Sequence, residues 1–195
     1  AARGMIRVRP ETLTGRLMLA RILLDIPSGR EAGLRLIEEV KPFAPLLGII
    51  TVMEAYALLM GDQAQEAASS LKAFRRSHPT HPFVDLFDTD VVLIFLLGDN
   101  AREAVERSRI ALSVSPTRIS MLLLHLAGLA ALEETNGAST ANEQTQTRSQ
   151  LLQLMPHASL ETVGRRYAYL PPARLAALLS LLERAGIPPL PDSMC

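Results

Sequence analysis

Residues 46–79 read LLGIITVMEAYALLMGDQAQEAASSLKAFRRSHP, and 37 residues further on the same grammar returns. Leu46 to Met60 is dense in helix formers, Gly61-Asp62 interrupts it, and Gln63 to Ser77 resumes helical spacing with Ala67, Leu71 and Phe74 on one face. Pro79 then forbids continuation, because it removes a backbone N–H and clashes with the preceding turn. The stretch is a helix-turn-helix hairpin. One period later Phe83 to Leu97, Gly98-Asp99 and Asn100 to Val114 repeat it, with Ala104 in the place of Ala67, Ala111 in that of Phe74, and Pro116 as the stop.

The period reaches beyond these two units. Pro42, Pro79, Pro116 and Pro156 stand 37, 37 and 40 residues apart, and Asp25, Asp62 and Asp99 keep step with the first three. A repeat length in the thirties predicts stacked helical hairpins, an all-α fold. A more divergent first hairpin runs from Thr12 to Leu24, through Asp25 and Pro27-Ser28-Gly29, to Arg30 to Val40; Leu34 and Ile37 take the places of Leu71 and Phe74. A fourth begins with a helix from Ile119 to Glu133 and closes at Leu151 to Met155, with the polar run Thr135 to Asn142 between them expected as turn. The expected organisation is a tail over 1–10 leading from an upstream domain, then one helical domain over 11–195. Its units are 11–42, 46–79, 83–116 and 117–156, with capping helices over 159–186.

Composition agrees with packed helices. Hydrophobic residues make up 48% of the 195, but aromatics only 4% with no Trp, so the core must be built from Leu, Ala, Val, Ile and Met. Twenty basic and twenty acidic residues cancel, which removes the electrostatic footprint of a nucleic-acid-binding domain, and no direct nucleic-acid binding is expected. Arg3, Arg7 and Arg9 read as a solvated tail. The one cysteine, Cys195, is the last residue and has no internal partner, which suits a cytoplasmic protein. The longest charge-free runs, Pro42 to Met53 and Ile119 to Leu132, fall short of the ~20 apolar residues of a membrane span, so no membrane association is expected.

On these residues the chain resembles a tetratricopeptide repeat protein, whose unit is about 34 residues. In the second hairpin the family's small-residue position falls on Ala55, its turn on Gly61-Asp62, its alanine on Ala67, its second-helix apolar position on Phe74 and its closing proline on Pro79. The third matches at Gly98-Asp99, Ala104, Ala111 and Pro116, with Val92 where a small residue is usual. The ending, Arg165-Arg166-Tyr167-Ala168-Tyr169-Leu170-Pro171-Pro172 through Leu182 to Pro188, is similar to the tail of tetratricopeptide segments behind bacterial adenylate/guanylate cyclase domains and winged-helix transcriptional regulators. The resemblance implies a right-handed superhelix and a protein-interaction or regulatory module of a bacterial signalling or transcription protein. It implies a partner peptide, helix or second copy held on the concave face formed by first helices, at Ile49, Val52, Tyr56, Leu59, Leu86, Thr89, Leu93 and Leu96. A free-standing secretion chaperone holding an unfolded client is the alternative. The Lys, Arg and Asn that would clamp a chaperone's carboxylate tail are missing from these positions.

No enzyme is expected of this segment, and no cofactor. His78, His81, Asp85 and Asp88 have spacings that can bring metal ligands together, but they read rather as loop histidines beside prolines and aspartates favouring the start of the next helix, and no metal is expected. His125, between Leu124 and Leu126, reads as a core or groove histidine; His157 follows Pro156 in a loop, and Arg165-Arg166 reads as a solvated helix face. No Gly-rich phosphate loop, His-Glu-x-x-His or nucleophile elbow is present.

Overall fold

Proline stops and left-handed turns divide the chain into helices at the places the period marks. The structure, a computed structural model, describes residues 12–43, 48–78, 87–136 and 139–190. Among them are ten α-helices and no strand. Where the period predicts one domain, the residues group into two compact units, 1–87 and 88–195, each with its own packing.

The first unit holds α1 (Leu13–Leu24), α2 (Arg30–Val40), α3 (Gly48–Met60) and α4 (Ala64–Ser77). Thr12 caps α1 with its hydroxyl, which accepts from the Gly15 N–H at 3.1 Å. Helix α1 packs on α2, α3 packs on both α1 and α2, and α4 packs on α3. Their shared interior is built from Leu17, Ala20, Leu24, Ile37, Met53, Tyr56, Leu59 and Leu71, all 3% exposed or less. Each buried Leu or Ile contributes on the order of 1.5–3 kcal/mol against remaining exposed.

The second unit holds α5 (Asp88–Leu97), α6 (Ala101–Val114), α7 (Ile119–Asn136), α8 (Ala141–Leu154), α9 (Leu160–Arg166) and α10 (Pro172–Arg184). Helix α7 is its centre, because Met121 to Ala130 are buried without interruption. Helices α5, α6, α8 and α10 surround it. Helix α5 likewise buries every residue from Asp90 to Leu97 against α6, α7 and α10. These two helices lack a polar stripe, and neighbours within their own unit supply the cover. Ser159 caps α9 in a capping box with Thr162, and the chain beyond α10 returns to it: the Pro188 carbonyl accepts the Leu160 N–H at 2.8 Å. Both N–H groups would otherwise be orphaned at the helix start.

The Gly-Asp turns are Schellman caps with an unexpected division of labour. The Gln63 N–H reaches the Leu58 carbonyl at 3.0 Å and the Asn100 N–H reaches that of Phe95 at 2.9 Å, which places Asp62 and Asp99 at the left-handed position, with φ of 65° and 59°. The helix α10 ends the same way with Gly186 at φ 83°. So the aspartate, not the glycine, carries the positive φ in the repeated turns. Gly61 serves a close approach instead: Arg30 passes over it and donates to the carbonyls of Met60 at 3.0 Å and Ala57 at 2.9 Å, where an added Cβ would collide with the guanidinium. Asp25, in step with the other two in sequence, stays right-handed at φ −73° and does something else.

One boundary differs from expectation. The run Thr135 to Asn142 is not a long turn: α7 extends to Asn136 and α8 begins at Ala141. The polar side chains that suggest a loop tie the helix ends together. Thr140 Oγ1 donates to the Leu129 carbonyl at 3.3 Å, and Gln144 Nε2 donates to Glu133 Oε2 at 2.6 Å. The tail over 1–10, Pro79, His81, Asp85, Leu86 and Cys195 lie outside the described residues.

Candidate functional site

The eight positions assigned to a concave face are placed differently. In the first unit Val52, Tyr56 and Leu59 are 1% exposed or less, and only Ile49 keeps some surface. The Tyr56 hydroxyl donates to Asp25 Oδ1 at 2.6 Å, Arg21 Nη1 donates to the same oxygen at 2.6 Å, and the Arg21 guanidinium lies 3.7 Å above the tyrosine ring. The ring is held from both sides by its own unit. In the second unit Leu93 and Leu96 are 3% exposed or less, packed beneath α6, α7 and α10. Thr89 is half-buried and its hydroxyl accepts from Arg118 Nη2 at 2.7 Å; Leu86 lies outside the described residues. These side chains therefore face interiors rather than an open groove. In the first unit α1, α2 and α4 cover them, and in the second the final helix α10 folds back over α5 and α7.

Where α10 crosses, it leaves a crevice of about 340 Å³. Leu96, Leu97, Ala131 and Leu181 form its apolar floor, while Arg174 and Arg184 stand on the α10 side and Asp99 and Glu134 on the other. Arg184 Nη1 pairs with Glu134 Oε1 at 2.8 Å, and Arg174 Nη1 reaches the Leu97 carbonyl at the end of α5. Leu96 is the one assigned groove residue that lines this space.

The densest polar constellation is elsewhere in the second unit, and three helices build it. Ser108 of α6 lies 2.8 Å from His125 Nδ1 on α7, and His125 Nε2 lies 3.1 Å from Glu143 Oε1 on α8. Arg109 of α6 holds the Glu143 carboxylate through two bonds of 2.8 and 2.6 Å. The carboxylate beside Nε2 is an acceptor, so Nε2 carries a proton, while the Ser108 hydroxyl shares Nδ1 with the helix carbonyls beneath it. Burial pushes the His125 pKa below its ordinary value of 6.5, with the Glu143 carboxylate opposing that shift. The Arg109 hydrogen bond holds Glu143 below the ordinary carboxylate range, and Glu143 in turn raises Arg109.

Ser, His and Glu thus stand in the order of a nucleophile triad. Ser108 is 0% exposed, however, and its hydroxyl also sits 2.8 Å from the Ala104 carbonyl and 3.0 Å from that of Val105, in the middle of α6. A substrate carbonyl has no route to this oxygen, so the arrangement ties three helices together. His125 at 3% exposure is the core histidine that its apolar flanks suggest. Ser108 and Glu143 carry no local signal of their role, being separated in the chain by 17 and 18 positions from the histidine they serve, and Arg109 acts through Glu143.

The remaining candidates are engaged structurally. His78 stacks on Phe74 with ring centroids 4.7 Å apart, and Asp88 pairs with Arg107 at 3.4 Å. Arg165 pairs with Glu161, and Arg166 Nη2 donates to Ser120 Oγ at 2.7 Å. Tyr167 is buried at the foot of α7, and desolvation pushes its phenol up to about 12. Among the described residues no group of three or more His, Cys, Asp or Glu is placed to hold a metal, and no helix is long and apolar enough to cross a membrane. No family model matches the chain, and neither a curated protein nor a solved structure matches it.

Proposed function

We propose that the chain is a protein-interaction and regulatory module of the tetratricopeptide kind, serving a bacterial signalling or transcription protein. The observation that carries this reading is the packing order. In each unit the first helix of the later hairpin lies on both helices of the hairpin before it: α3 on α1 and α2, α7 on α5 and α6. That relation is how helical-repeat hairpins bury a continuous core. The superhelical form and the regulatory role belong to this proposal.

The partner segment docks in the crevice beside α10, where an apolar floor containing Leu96 and Leu181 lies between opposed charges. A short stretch with one or two apolar side chains flanked by polar groups suits that shape. A photo-crosslinking residue placed at the exposed Ala177 tests the reading in the native cell. Attachment to one polypeptide, abolished when Ala131→Trp fills the crevice, is expected. Absence of a product, or a product indifferent to Ala131→Trp, refutes docking at this place.

A further inference from the structure

Helix α8 is fastened to the second unit differently from its neighbours. Of its 14 residues only Thr147 and Leu151 are buried, so it withdraws a single apolar side chain fully from water. Helix α10, of similar length, buries three leucines, Leu178, Leu181 and Leu182. What holds α8 is polar. Glu143 takes two bonds from Arg109 of α6 and lies 3.1 Å from His125 Nε2 of α7. Gln144 Nε2 donates to Glu133 Oε2 at 2.6 Å, Gln150 Nε2 to the Pro116 carbonyl at 2.8 Å, and Arg148 Nη1 to the Ala185 carbonyl at 3.3 Å.

The surface beneath these fastenings is apolar. Helix α8 packs on α7, where Leu122 and Leu129 stand three and four residues from His125 and therefore share its face. Both leucines are 1% exposed or less. The helix thus covers an apolar strip while contributing little apolar surface of its own.

We propose that α8 is a releasable strap, which leaves the unit as one piece and uncovers the His125 face of α7 while α6 and α7 stay packed. Elements that open ahead of the whole fold are those with few buried apolar contacts and with bonds that water can replace, and α8 meets both conditions. The fastening also responds to acid. The charged groups that act on the His125 ring are Glu143 of α8 and Arg109 of α6. Those of α5 and α10 are engaged elsewhere: Asp88 with Arg107, Asp90 towards Tyr167, Arg174 with the Leu97 carbonyl and Arg184 with Glu134, while Glu183 is exposed.

Under α8, desolvation holds the ring below its ordinary 6.5, and in the released state the ring regains water and that ordinary value. A pKa that is lower in the closed state favours closure above about pH 6.5 and release as the pH falls below it. One proton taken up at that pKa raises the released population by at most about tenfold between pH 7.5 and 5.5. Glu143, also lowered, acts only below about 4.5, outside this range.

Hydrogen exchange of the full chain at pH 7.5 and 5.5, followed by mass spectrometry and divided by the intrinsic chemical rate at each pH, tests the strap. At pH 7.5 the amides of α8 are expected to exchange at least about tenfold faster than those of α6 and α7. At pH 5.5 they are expected to gain a further factor of about three to ten, with a smaller gain in α6 and α7. Glu143→Gln, at a side chain 34% exposed, removes the charge that Arg109 holds and is expected to speed α8 severalfold at pH 7.5 without loss of the fold. His125→Gln, which takes up no proton, is expected to abolish the rise specific to α8. An α8 as well protected as α6, an acid-driven gain shared equally by α6 and α7, indifference to Glu143→Gln, or a rise that survives in His125→Gln overturns the proposal.

Discussion

At the scale of single residues, His125 is where burial and chemistry meet. Its ring is buried and bonded on both sides, and desolvation displaces its pKa downward. A histidine whose folded pKa lies below its unfolded value of about 6.5 supports the fold above that pH and loses its contribution as the pH falls below it. Glu143, also lowered, has the same sign and acts further down, below about 4.5. Thermal unfolding monitored from pH 7.5 to 5 should therefore show falling stability, and His125→Gln, which cannot take up the proton, should flatten that fall between about pH 6.5 and 5. Equal slopes for the two proteins would mean that His125 is not the group responsible. The flanking leucines disclose that the histidine is internal. Nothing local discloses Ser108 and Glu143, since the rotation of three helices brings them together.

At the scale of elements, the turns carry the repeat. Asp62 and Asp99 occupy left-handed φ, a region that a β-branched side chain enters only at about 1–2 kcal/mol, whereas glycine enters freely and aspartate tolerably. Asp62→Val should lower stability in urea denaturation by about 1–2 kcal/mol, while Asp62→Gly should stay within about 1 kcal/mol of the native chain. Gly61→Ala should cost about 1–3 kcal/mol by pushing away the Arg30 guanidinium that bonds the end of α3. In a double-mutant cycle Arg30→Ala should absorb most of that loss; additive losses would separate Gly61 from Arg30. The same device recurs where Arg174 reaches the end of α5 and Arg148 that of α10. Helix positions were legible because proline and left-handed turns act on the backbone locally. Helix α8 was legible only at its end, because Thr147 and Leu151 are its only buried residues and its periodicity is correspondingly faint.

At the scale of the molecule, each unit encloses its own apolar interior. The second unit has α7 buried along ten consecutive residues, with α5, α6, α8 and α10 packed on it. A fragment spanning 88–195 should therefore be helical and melt in one cooperative transition; a non-cooperative melt would mean that its core is completed elsewhere. The tetratricopeptide resemblance implies a binding surface on the first helices, whereas Val52, Tyr56, Leu59, Leu93 and Leu96 are buried. An unbroken apolar helix states only that it must be covered. Whether a partner covers it or the chain does is decided by where its neighbours lie, α10 among them in the second unit.

The sequence by itself determined the hairpins, their turns and their stops, because a missing N–H at proline and a repeated Gly-Asp act within a few residues of chain. It also determined which helices had to be covered, since apolar surface is unfavourable in water wherever it occurs. Only the tertiary structure decided what covers them, which aspartate reaches a tyrosine and which takes the left-handed turn, and which serine and glutamate meet His125. Those outcomes depend on the rotation and crossing of helices far apart in the chain, and packing sets both.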